Sequence, residues 1–199
     1  EEQLNAPVED DDALDVHLAS QTMHIQYRAR ENEDGTGWDA VDENRPLSYL
    51  NADTETLFNL AVDANNGTTP FAELNRVQQE LASAAWIRAV HAEHQIREFM
   101  VDFWHNHFNI AREDSQFGSA TLPVYDRDHI RPYALGNFRD MLEANASSTS
   151  MLFYLDNVVS DANLPNENYA RELLELHTMG EDYYLGVGSL TDDNPGGLG

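Results

Sequence analysis

Residues 96–110 read IREFMVDFWHNHFNI, and the spacing of their bulky side chains decides how the chain folds. Ile96, Phe99, Met100 and Phe103 recur at i, i+3, i+4 and i+7, the rhythm of one buried helical stripe. His107 takes the next place in that stripe. His105, two residues away, falls on the opposite face. The spacing therefore predicts a buried imidazole at His107 and an outward one at His105. A buried imidazole is costly unless its ring nitrogens find hydrogen bonds. The stretch thus predicts a polar site within a helical core and names no reaction.

Outward from this stretch the patterns stay helical. Asp53 reads as the cap of a helix to about Ala64, with Leu57, Leu60 and Ala61 inward and Asn65-Asn66-Gly67 as the stop. Thr69-Pro70 opens the next helix, with Glu73 in its first turn and Phe71, Leu74, Val77, Leu81 and Ala85 as its stripe. The pattern from Pro70 to Ala111 is long for a globular helix, so a break is expected between Ala89 and His94. Gly118 to Asp128 reads as a connection. Pro132 starts a further helix with Leu135, Phe138, Met141 and Leu142 inward. Ser148 or Thr149 caps the short apolar run MLFYL, Asp156 to Pro165 is loop, and Asn166 to Met179 is a last helix ended by Gly180. Ahead of all these, Met23, Ile25 and Tyr27 alternate with His24, Gln26 and Arg28, as in a brief strand or extended arm. Residues 31–52 read as loop, with Trp38 and Tyr49 packing back on the body. The expectation is an all-α fold: a compact helical array over 53–185, preceded by an acidic arm and loop region at 1–52 and followed by an irregular tail at 186–199. No repeat or heptad seam is present.

Composition narrows the function classes. The 199 residues suit one ordinary domain with appended arms. There are 36 acidic residues against 11 basic ones, a net charge of −25, and every basic residue is arginine. Such a chain repels phosphate, which argues against nucleic acid and anionic membrane surfaces as partners. No run approaches the ~18 apolar residues of a membrane span. The charge favours solubility; adaptation to a salty setting, where screening tames self-repulsion, is the sharper alternative. With no cysteine there is neither disulfide nor thiolate nucleophile. No leader segment is visible, the first residue is not methionine, and both ends read as cut by processing or design.

Three groups of residues could carry chemistry. At about 100° per residue, His91, His94, Glu98, Asp102, His105, Asn109 and Arg112 share one helix face. They are either a metal-ligating stripe or a solvated face. His107, among Phe99, Met100 and Phe103, is either a hydrogen-bonded core histidine or a general base or metal ligand in a dry pocket. In NENYARELLELH (166–177), Tyr169, Leu173 and Leu176 form the inward stripe with His177 at its margin. Glu172 and Glu175, three apart, can converge on a metal or divide into acid and base; otherwise they are structural ion-pair partners. Glu167 and Arg171 have the spacing of an i, i+4 pair, worth about 0.3–0.5 kcal/mol if exposed. Asn137 falls opposite the apolar stripe of its helix, Asp156 and Asn157 are a loop anchor or ligands, and either asparagine can simply satisfy backbone groups. No HExxH, CxxC pair, EF-hand loop or Glu-x-x-His motif occurs.

Four of these motifs occur in one order: FWHNHF (103–108), ALGNFRDML (134–142), MLFYLDN (151–157) and NENYARELLELHTMG (166–180). In this the chain resembles the bacterial family known as domain of unknown function 1800, over roughly residues 74–185. The matching positions include His105, Asn106, His107, Asn137, Arg139, Asp156, Asn157, Asn166, Glu167, Asn168, Arg171, Glu172, Glu175 and His177. The resemblance implies a mostly helical protein in a periplasmic or extracellular setting, often exported through a cleaved leader and encoded beside a second exported family. It brings no activity with it. The chain is short for that family, lacking most of the usual C-terminal portion, and its first ~50 residues depart from the usual opening.

Two readings of function follow. In one the chain is an exported, metal-dependent hydrolase. His107, Glu172 and His177 are then catalytic, and His105, His107, Glu172 and Glu175 hold a divalent metal. Asn106, Asn168 and Arg171 position the substrate. In the other it is a non-catalytic interaction or assembly module whose polar network fixes helix packing. Its acidic surface and arms then meet another exported protein or an extracellular polymer. A haem or radical cofactor has only the histidine count behind it.

Overall fold

The structure is a computed structural model, and it describes residues 12–33, 35–111, 115–180 and 183. The first of these form α1 (Asp12–Ala19), whose Leu14 and Leu18, one turn apart, bury in a cluster with Leu47, Leu50, Ala84 and Ala92. Residues 22–46 then fold as nested antiparallel pairs. β1 (Thr22–Tyr27) pairs with β4 (Val41–Pro46), from Thr22 opposite Pro46 to Tyr27 opposite Val41, and β2 (Arg30–Glu31) pairs with β3 (Gly37–Trp38). Gly37 has φ 149°, and a Cβ there would lie 2.0 Å from the Arg30 carbonyl oxygen, so only glycine fits the turn.

The all-α expectation is corrected accordingly: the described residues are mostly helical, with two small two-stranded sheets. The alternation at Met23, Ile25 and Tyr27 predicts β1. Residues 31–52 read as loop because Asp42, Glu43, Asn44 and Arg45 of β4 have no apolar period. Charge holds that strand instead. Arg45 Nη1 lies 2.6 Å from Glu73 Oε1, and Arg76 Nη2 donates to the Pro46 carbonyl at 2.8 Å.

A 3₁₀ turn (Ser48–Asn51) leads to α2 (Thr54–Asn65), capped as predicted: Asp53 Oδ1 accepts from the Thr56 N–H at 2.7 Å, and Leu57 and Ala61 are buried. α3 (Phe71–His91) begins one residue later than its sequence suggests, with Pro70 itself at the cap. Its inward face carries Leu74, Val77 and Ala84, and with them Glu73, Arg76 and Glu80, all buried. Arg76 Nε meets Glu80 Oε1 at 2.7 Å and Nη1 meets Glu73 Oε2 at 3.3 Å. Tyr27 and Tyr49 donate to Glu73, and the Tyr49 N–H donates to Glu80 Oε2 at 2.7 Å. The network ties the hairpin and the 3₁₀ turn to α3.

α3 stops at His91 and α4 (Gln95–His107) starts after Ala92–His94, inside the expected break. The stripe on α4 is corrected. Phe99 and Phe103 are 69% and 47% exposed, whereas Val101 and Phe108 are buried and Trp104 is half-buried. The alternative rhythm Glu98, Val101, His105, Phe108 wins because its polar members find charged partners inside. The segment from 118 to 128 is also corrected from connection to helix: α5 (Gln116–Ala120), α6 (Leu122–Val124) and a π-helical turn (Tyr125–Ile130), followed by a 3₁₀ turn (Arg131–Tyr133). Asn137 Oδ1 accepts from the Arg139 N–H and caps α7 (Phe138–Ser147), and Ser148 Oγ accepts from the Met151 N–H at the start of α8 (Thr149–Tyr154).

The chain divides after Tyr154 into two units. In the second, Asp156 takes a left-handed conformation (φ 56°) before a 3₁₀ turn, and Asp161 Oδ1 accepts from the Asn163 and Leu164 N–H groups. α9 (Asn168–Glu172) runs into a second π-helical turn (Leu173–Thr178). Among the described residues no helix is long and apolar enough to cross a membrane.

Candidate functional site

The first unit gathers its polar site around Asp126, which is almost wholly buried. The π turn explains how. Residues five apart in a regular α-helix are rotated by about 140°. Here the Arg131 N–H reaches the Asp126 carbonyl, the i→i+5 bond of a π turn, and the two side chains come onto one face. Arg131 Nε then lies 2.7 Å from Asp126 Oδ2. The rest of the same guanidinium forks onto Glu98, Nη1 to Oε1 and Nη2 to Oε2, both at 2.9 Å. His105 Nε2 sits 2.9 Å from Asp126 Oδ1, and Arg88 Nη1 lies 3.4 Å from Oδ2.

Burial by itself would raise the Asp126 pKa. The Arg131 charge, then the hydrogen bond and charge of His105 and the charge of Arg88, outweigh it and hold the carboxyl well below the usual carboxylate range. Burial likewise opposes the Arg131 charge, but Asp126 and Glu98 outweigh it and raise that guanidinium above its ordinary value. An ionised carboxylate only accepts, so His105 Nε2 carries the proton and Nδ1 is the basic nitrogen of the ring. Behind it Tyr125, fully buried, sets its ring edge-on to His105 at 5.6 Å. Tyr125 is fixed in turn: its hydroxyl donates to the Phe108 carbonyl and accepts from Asn145 Nδ2.

His105 and Asp126 line a cavity of about 570 Å³, with Arg88, Glu98 and Arg131 on the same floor. Trp86 and Phe99, 76% and 69% exposed, stand on its walls. A second cavity of about 490 Å³ is also lined by Arg88, Glu98, Asp126 and Arg131, so these four groups belong to a wall common to both.

The two histidines of the opening motif are both half-buried, so neither takes its predicted place. His105 is the one engaged at a buried carboxylate. His107 is half-buried in an aromatic group, parallel to Phe103 and edge-on to Phe108 and Trp104. Of the predicted polar face, Glu98 and His105 turn inward. The rest disperses: His91, at the end of α3, pairs with the His17 ring at 4.6 Å, the exposed Asp102 accepts from Asn106, and Arg112 lies outside the described residues.

In the second unit Asn166 Oδ1 accepts from the Asn168 N–H, so that asparagine serves the backbone. Arg171 pairs with Glu172 at 3.1 Å and Glu175 at 3.6 Å, in place of the predicted Glu167. The π turn also shifts the inward stripe: Tyr169 and His177 are buried while Leu176 is 56% exposed. His105 and His107 thus belong to the first unit, and Glu172, Glu175 and His177 to the second. Among the described residues no three His, Asp or Glu side chains are grouped to hold a metal ion.

Sequence reasoning misses Asp126, Arg131 and Arg88. The signal available was Asp126-Arg127-Asp128 followed by Arg131, which makes sense only once a π turn is allowed. No curated protein and no solved structure matches the chain. A family profile does match, over residues 1–186, and it takes in the first fifty residues that the motifs alone leave out. That family is described as a protein of unknown function, DUF1800, and the chain belongs to it.

Proposed function

We propose that the first unit is the acid–base site of an exported bacterial hydrolase, with His105 as the proton-transfer group. One observation carries this. A buried, ionised Asp126 orients His105, and the imidazole faces a preformed cavity with aromatic walls. Water attacks an electrophilic carbon of the bound substrate and gives its proton to Nδ1. The imidazolium, stabilised by Asp126, returns that proton to the leaving group. Glu98 fixes Arg131, and Arg131 keeps Asp126 in place. The export and envelope setting rest on the likeness of the motifs to that family, and detection of the protein in an envelope or culture-medium fraction tests them.

The metal-dependent form of this reading adds His107, Glu172, Glu175 and His177 to the site. Both oxygens of Asp126 and both of Glu98 are engaged by protein donors, and Arg171 competes for Glu172 and Glu175. We therefore favour general-base catalysis without a metal. The test is hydrolysis of a panel of chromogenic esters and glycosides. We expect turnover that survives a chelator and falls about 10²-fold in H105Q with melting temperature retained. Loss of turnover on chelation, restored by a divalent metal, returns the choice to the metal form. Equal turnover by H105Q removes His105 from the mechanism.

A second reading is favoured by exposed apolar groups. Trp86 and Val90 on α3, and Phe99 and Phe103 on α4, each one turn apart, are open to solvent. In that reading they meet another exported protein, and the Asp126 network is structural. W86A then abolishes association with the partner and leaves the hydrolysis panel unchanged.

A further inference from the structure

The second cavity shares Arg88, Glu98, Asp126 and Arg131 with the first but is not lined by His105. At about 490 Å³ it lies in the range of small-molecule sites. Four of the chain's eleven arginines line it, Arg88, Arg97, Arg127 and Arg131, against three carboxylates, Asp15, Glu98 and Asp126. Two of the four are fully engaged. Arg131 holds Glu98 and Asp126, and Arg127 forks onto Asp128 while its Nη1 donates to the Leu50 and Ala52 carbonyls.

The other two are not. Arg88 reaches Asp126 only at 3.4 Å, beyond the ~2.7–2.9 Å of a strong charge-assisted bond. Burial, then the like charge of Arg131, push its guanidinium below the ordinary value, and the charges of Asp126, Glu98 and Asp15 only partly offset them. Arg97 is half-buried on the cavity wall, and its side chain has no ion pair or hydrogen bond among the described residues. His94, beside it, is in the same position. In a chain of net charge −25, under-neutralised guanidinium groups facing a preformed cavity are the local exception. The overall repulsion of an anion is screened beyond about 8 Å at physiological salt, so the nearby cations dominate inside the cavity. Apart from Asn51 the remaining lining is apolar, and it includes Leu14, Leu18, Leu47 and Leu50 of one core cluster.

A cavity lined by both under-neutralised guanidinium groups and leucines suits a molecule with one charged end and one apolar body. We propose that this cavity binds a small amphipathic carboxylic acid, its carboxylate on Arg97 and Arg88 and its hydrocarbon along Leu14, Leu18 and Leu50. Arg97, Leu14, Leu18 and Leu50 line this cavity and not the first, whereas Arg88 lines both and His105 lines only the first.

Calorimetric titration of the full chain with hexanoate tests this, with 1-hexanol and inorganic phosphate as competitors. The expected result is saturable binding at one site per chain that weakens about tenfold in R97Q and less in R97K, which keeps the charge without the fork. Circular dichroism confirms the fold of each variant. H105Q is expected to bind hexanoate like the parent, whatever becomes of hydrolysis. Absence of saturable binding overturns the proposal, as does parent-like affinity in both Arg97 variants. So does displacement by hexanol, which shows an apolar pocket alone, or by phosphate at equal concentration, which shows an anion site alone.

Discussion

The first unit contains two buried arginine–carboxylate networks that look alike in composition and differ in what surrounds them. The Glu73–Arg76–Glu80 network is sealed between α3, the hairpin and the 3₁₀ turn; Glu80 has no exposure, and none of the three residues lines either cavity. The Glu98–Arg131–Asp126 network is somewhat less buried; it lines both cavities and holds an imidazole that lines one of them. Both satisfy their charges internally, as burial demands. The difference teaches that a buried ion pair by itself marks no site. What distinguishes the second network is a titratable group between a fixed charge and open space.

The sealed network should therefore give the largest stability effect. R76M leaves Glu80 buried without its guanidinium and is expected to cost about 3–5 kcal/mol in denaturant unfolding. The double variant R76M/E80L removes both charges and should regain most of that loss. If R76M unfolds at the parental denaturant midpoint, the network is not what holds the hairpin.

The next effect separates the networks by pH. Asp126 has a depressed pKa in the folded state, so its contribution is present above the unfolded value near ~3.9 and is lost as pH falls towards the folded value. Glu80 goes the other way. Burial raises it and Arg76 only partly offsets the rise, so folding takes up a proton there, and stability declines as pH rises through its window above ~4.5. Melting temperature followed from about pH 3 to 7 should show a flattened acid limb in D126N. In E80Q it should show a relatively more stable protein at the upper end of the range than at the lower, compared with the parent. Parallel curves for the two variants would mean that the charges are not set as described.

How far the sequence foretold this division depends on which force fixes each element. Apolar period and capping residues predict α2, the break between α3 and α4, the cap at Asp53 and, as one of two candidates, the cap at Ser148, because those features are local; the helix expected from Pro132 starts instead at Phe138, after the Asn137 cap. β4 escapes because Arg45 and Pro46 are held by residues some thirty positions away. The stripe on α4 is misjudged for a related reason. Phe99 and Phe103 are the more apolar choice, but Glu98 and His105 turn inward to partners, Arg131 and Asp126, that lie on a π turn. A fixed 3.6-residue period cannot foresee such a turn, and the same device at Leu173–Thr178 exchanges Leu176 for His177 as the buried residue. The local patterns therefore show that a polar site exists on α4, but only the tertiary charges show which histidine carries it.

A third effect isolates the open network's chemistry. H105Q removes a half-buried imidazole at the cavity floor, and its consequence should appear in turnover or ligand affinity with little change in melting temperature. R76M should show the reverse. A large drop in melting temperature for H105Q with no change in any binding or turnover assay would place His105 with the sealed network.

The smallest expected effect is the most discriminating. With a net charge of −25, the whole chain should gain melting temperature between about 0.05 and 1 M sodium chloride, as the Debye length shrinks from roughly 14 to 3 Å and self-repulsion fades. The buried pairs lie outside that screening. The Arg76–Glu80 coupling energy from a double-mutant cycle should therefore shift by no more than about 0.5 kcal/mol over the same range. The Asp126–His105 coupling should weaken measurably, because His105 faces a cavity that solvent ions can enter. Equal salt dependence of the two couplings would erase the distinction between a sealed and an open network, and with it the reason for placing chemistry at one and not the other.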